Sequence, residues 1–106
     1  MKTLNQNTNS EYYYESELFF LNTESIYNVA WQLALQVSKR MLKKLPVSFS
    51  HLASCSTVKK IATMTNKECM KSGVKPLVTS KDFEDFRSFV ATQVLDWADF
   101  EARKIA

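Results

Sequence analysis

"VTSKDFEDFRSFVATQVLDWADFEARKIA", residues 78–106, decides the fold, because its apolar residues recur at helical spacing and do not alternate. At 100° per residue, Phe83, Phe86, Phe89, Val90, Val94, Trp97 and Phe100 fall in one arc of about 140°. Glu84, Ser88, Thr92, Asp96, Asp99 and Arg103 take the opposite side. Thr79 or Ser80 can cap such a helix, and Asp82, Glu84 and Asp85 suit the positive end of its dipole. A long amphipathic helix with an aromatic core stripe is expected.

A second helix is expected from about Asn22 to Leu45, with Pro46 ending it, since the residue before a proline is pushed out of the helical region. Ile26, Tyr27, Ala30, Leu33, Ala34, Val37, Met41 and Leu45 form its stripe. Beside it runs a second row, Trp31, Leu35 and Leu42, giving an apolar arc wider than a surface helix needs. Either this helix is central in the bundle or the row meets a partner, a second copy of the chain included.

The stretch between, "SFSHLASCSTVKKIATMTNKECMKSG" (residues 48–73), is weaker in helix formers. Thr65 and Glu68 offer a capping box, so it reads as two short helices or one kinked near Thr65. Gly73 fits a left-handed helix end, with Pro76 beyond it.

"EYYYESELFFL" (residues 11–21) behaves differently. As a helix its apolar residues point all round; as a strand, Tyr12, Tyr14, Leu18 and Phe20 share one side, opposite Glu15 and Glu17. An extended or β-like segment is expected, packed as core or reaching to a partner as an arm. "NQNTNS" (residues 5–10) reads as a disordered start, so residues 1–10 are set apart from a single helical domain over 11–106. The expected fold class is mainly α: a small bundle of three to four helices with an extended N-terminal segment. One glycine and two prolines in 106 residues favour helices over hairpins, and this length suits one core.

No apolar run has the length of a membrane span or of a secretory signal, so a cytoplasmic protein without membrane contact is expected. Cys55 and Cys69 are then free thiols. His51 and Cys55 lie four apart with Cys69 beyond, but a structural zinc wants four ligands in close pairs, so no metal and no cofactor are expected. Nothing positions the single histidine as a base, and no phosphate loop or nucleophile elbow is present. The expectation is a non-enzyme with no small-molecule substrate.

Charge carries the strongest functional signal. Residues 1–38 set Lys2 against four glutamates; Lys39 to Lys81 hold ten basic residues against Glu68 alone; from Asp82 onward six acids face three bases. A basic middle either attracts phosphate backbones or is neutralised by the chain's own acidic ends. Lys60, Lys67 and Lys71 share a helical face with Lys59 alongside, and Lys39, Lys43 and Lys44 close the preceding helix. These seven lysines are the candidate contacts to nucleic acid or to an acidic or nucleoprotein partner. "TVKKIATMTNKECMKSGV" faintly resembles a helix-turn-helix, without the turn glycine or clear base-reading side chains. The rival expectation is a protein-protein adaptor or inhibitor of the compact phage or plasmid type, working through its aromatic surfaces and the Trp31, Leu35 and Leu42 row, with a homodimer as one form of that contact.

Overall fold

The computed structural model describes residues 23–105. They form four helices and, among the described residues, no strand: α1 (Glu24–Leu42), α2 (Phe49–Ala53), α3 (Ser56–Ser72) and α4 (Ser80–Ile105). The fold is mainly α, as the periodicity predicts. The expectations for residues 1–22, the disordered start and the extended aromatic strip, lie outside the described residues.

α1 and α4 make the most extensive pairing, and α3 and α2 close the bundle against them. Early α1 meets late α4, Tyr27 lying 5.3 Å from Trp97 between ring centroids, while α2, which follows the end of α1, borders early α4 at Glu84 and Arg87. The two long helices are therefore antiparallel. Ile26, Val58, Ile61, Phe86, Val90 and Val94 are wholly buried, each contributing about 1.5–3 kcal/mol of apolar burial. Ala30, Ala34, Ala91 and Ala98 are wholly buried as well, and such small side chains leave room for helix backbones to approach closely.

Three local features differ from the sequence expectation. α1 ends at Leu42, three residues before the expected Leu45. The Leu45 N–H closes on the Arg40 carbonyl and the Lys44 N–H on that of Met41, both at 3.0 Å, with Lys44 left-handed at φ 59°. This is the glycine-type helix stop built on a lysine, and Pro46 follows it instead of causing it.

The break in the middle falls at Ser54 and Cys55, not near Thr65. Ser48 caps α2, its hydroxyl accepting the His51 N–H, whereas Thr65 lies buried within α3 on the stripe of Val58, Ala62 and Cys69. Burial of that stripe outweighs the local capping option. Finally, Phe100 at the end of the α4 stripe is 62% exposed, because the buried arc of α4 is turned toward Ala91 and Ala98.

Caps fix the remaining ends. Gly73, at φ 74°, ends α3, with the Val74 N–H bonded to the Cys69 carbonyl at 3.0 Å. The connection to α4 is tied back by the Leu77 N–H donating to Asn66 Oδ1 at 2.9 Å. At the start of α4 the Asp82 N–H donates to Thr79 Oγ1 at 3.0 Å, and the Asp82 carboxylate accepts the N–H groups of Thr79 and Val78, both at 3.1 Å. Those donors, Thr79 first and Val78 second, hold the Asp82 carboxyl below its ordinary value of 3.8. No helix among the described residues is long and apolar enough to cross a membrane.

Candidate nucleic-acid interface

The bases at the end of α1 belong to a longer stripe. Asn28, Gln32, Gln36, Lys39 and Lys43 follow one another at spacings of four, four, three and four, and so share one face of α1, away from the core. All five are exposed. At 1.5 Å per residue the stripe is about 22 Å long, the rise of roughly six duplex nucleotides.

α3 lies against this face. Asn28, Gln32 and Gln36 of α1 and Thr57 and Lys60 of α3 line a shared groove of about 320 Å³. Since Thr57 and Lys60 both border it, the side of α3 toward α1 is known. Lys71 projects on that side, Lys67 points outward from it, and Lys59, 100° from Lys60 in the direction away from Thr57, lies on the other flank. The structure thus brings Lys60 to the groove beside the α1 stripe; by helical spacing Lys39 and Lys43 continue that stripe, Lys67 and Lys71 flank Lys60 on α3, Lys59 is set apart from them, and Lys44 leaves the helix at its left-handed stop.

Ion pairs in α4 are local: Lys81 with Asp85 at 3.2 Å, Arg103 with Asp99 at 3.0 Å, Lys104 with Glu101 at 3.4 Å. Of the seven candidate lysines, Lys71 meets Glu68 at 3.5 Å; the other six, all exposed, form no ion pair among the described residues. Arg40 has a structural task instead, donating to the Pro46 carbonyl at 2.9 Å.

Charge alone does not point to the three amides of this stripe. The signal was present in the regular spacing of Asn28, Gln32 and Gln36 ahead of Lys39 and Lys43; their apposition to Lys60 was not, since it depends on how two helices pack.

Trp31, Leu35 and Leu42 occupy the other flank of α1. Trp31 is half-buried and engaged within the chain: its ring is 6.2 Å from Tyr27, stacked at 5°, and 5.8 Å from Trp97, tilted at 59°. Leu35 is half-buried and Leu42 is exposed.

Cys69 is buried, and burial first, then the Glu68 charge, pushes its thiol up, the opposite of an activated nucleophile. Cys55 and His51 border an apolar groove of about 480 Å³ between α1 and the α1–α2 connection. No family model, curated protein or solved structure matches the chain.

Proposed function

We propose that this chain is a non-enzymatic nucleic-acid-binding protein that lays the Asn28–Lys43 stripe of α1 and the Lys60, Lys67 and Lys71 row of α3 along a phosphate backbone. The observation that carries the reading is that Lys39, Lys43, Lys60 and Lys67 are exposed and form no ion pair among the described residues, Lys71 alone of the row meeting Glu68, while Asp85, Asp99 and Glu101 of α4 pair with bases of α4. Unpaired lysines release counterions from a phosphate chain without first breaking ion pairs of their own. Asn28, Gln32 and Gln36 add neutral donors and acceptors of the kind that fix register on a backbone. No base-reading helix is part of the proposal, so binding without strong sequence preference follows.

The test is a salt titration of binding to duplex and single-stranded DNA and RNA. Affinity falling steeply with salt is expected, and no binding at low salt removes the reading. A protein-protein adaptor is the second reading, favoured by the exposed Phe100 and Tyr27 beside the two tryptophans. It predicts a partner whose affinity responds to substitutions at Trp31 and is indifferent to the lysine row.

A further inference from the structure

Leu33, Val37 and Arg40 follow one another along α1 at spacings of four and three, and Val47 of the α1–α2 connection faces them with His51 and Leu52 of α2. The groove between, about 480 Å³, is of the size that takes a small ligand. Leu33, Val37 and Leu52 are buried and form its apolar floor, while Arg40 and His51 are exposed on its edges. Arg40 is held there by its bond to the Pro46 carbonyl, and His51 by Ser48, which caps α2 through the His51 N–H.

This groove adjoins the polar one between α1 and α3. Leu33 and Gln36 border both, so the side that carries Asn28, Gln32 and Lys60 runs directly into it. Among the described residues no acid borders either groove, whereas Arg40, His51 and Lys60 do. A ligand that suits both grooves has an anionic chain and, beside it, a flat and largely apolar body. An unpaired nucleotide has this chemistry, its base free to stack on a histidine ring or a guanidinium plane. In a duplex the bases are stacked and paired inside, out of reach of such a groove.

We propose that the groove between α1 and α2 takes an unpaired base of a single-stranded nucleic acid while the adjoining lysines hold its phosphates, which makes single strands the preferred ligand over duplexes. This rests on the phosphate-binding reading above and adds its substrate class. The base lies on Leu33, Val37 and Leu52, the His51 ring and the Arg40 guanidinium offer planes for stacking, and the Gln36 amide at the junction supplies a donor and an acceptor for its edge. Stacking and apolar contact accept any base, so a preference for single strands comes without a preference for sequence.

Cys55, half-buried at the groove border, reports occupancy in the unsubstituted protein. Cys69 is buried, so iodoacetamide labels Cys55 first, and peptide mass mapping reads the two thiols separately. Three probes of equal length are compared at low salt by anisotropy: an oligothymidylate strand, an abasic strand with the same phosphates, and a duplex. The oligothymidylate should bind about tenfold tighter than the abasic strand, and it alone should slow Cys55 alkylation, by about tenfold near saturation. His51→Ala keeps the α2 cap, which uses only the His51 backbone, and should bring the two strands to within about twofold of each other. Equal affinities for the oligothymidylate and abasic strands, a ratio that His51→Ala leaves intact, or equal protection of Cys55 by all three probes overturns the inference and leaves phosphate binding standing. No binding of any probe at low salt removes both.

Discussion

Replacing Lys39 and Lys60 by glutamine removes one charge from the α1 stripe and one from the α3 row while leaving both helix cores untouched, since both side chains are exposed and neither forms an ion pair among the described residues. If Lys39, Lys43, Lys60, Lys67 and Lys71 each neutralise one phosphate, log affinity for duplex DNA falls with log salt at a slope of about −4.5, a loss of about 500-fold between 50 and 200 mM. Removing two contacts reduces the slope to about −2.7 and the loss to about 40-fold. Lys59→Gln changes the net charge as well, but from the far flank of α3, and should leave the slope near the wild-type value. Fluorescence anisotropy of a labelled duplex across salt concentrations measures these three and Lys60→Gln alone, the single-charge comparison for Lys59→Gln. A Lys59→Gln slope reduced as much as that of Lys60→Gln alone would refute the geometric argument, because net charge and not the α1–α3 side would then be what the phosphates sense.

Lys44→Gly should raise stability by about 1 kcal/mol, since glycine adopts the left-handed helix stop that costs a side-chain-bearing residue roughly that much; chemical denaturation reads it. Asp82→Ala should lower the melting temperature at neutral pH, with the difference from wild type shrinking in acid. The folded-state pKa of Asp82 is depressed, so its contribution is full above the ordinary 3.8 and is lost as pH falls through the lower folded value. Thr65→Val should be neutral or stabilising by up to about 1 kcal/mol, because the Thr65 hydroxyl is buried without a hydrogen-bond partner among the described residues; a loss comparable to a core truncation would refute this.

The two long helices were legible because each carries an unbroken 3.6-residue stripe, and burial of a stripe decides secondary structure more firmly than any single cap. The Thr79 and Asp82 start of α4 was legible for the same local reason: cap and third residue are specified by adjacent sequence. What was not legible depends on context. Lys44 in a left-handed position carries no sequence flag, so the sequence points to Pro46 as the helix stop. Thr65 and Glu68 form a valid capping pair in isolation, and only the burial of Thr65 against the rest of the core shows that the helix runs through. The candidate site divides in the same way. Lys60, Lys67 and Lys71 as a row follow from spacing within α3, but the exclusion of Lys59 and the addition of Gln32 and Gln36 require knowing which side of α3 meets α1.

The two functional readings compete for the same helix, and α1 has enough circumference for both only if its flanks differ in kind. Its core arc holds Ile26, Ala30, Leu33, Ala34 and Val37; one flank carries Asn28, Gln32, Gln36, Lys39 and Lys43; the other carries Tyr27, Trp31 and Leu35. A polar flank gains little from remaining covered, since amides and ammonium groups keep their hydration in water. An aromatic flank gains from cover, at about 25 cal/mol for each Å² removed from water. The exposed lysines of the polar flank, Lys39 and Lys43, form no ion pair among the described residues, so a partner of opposite charge gains most on that side.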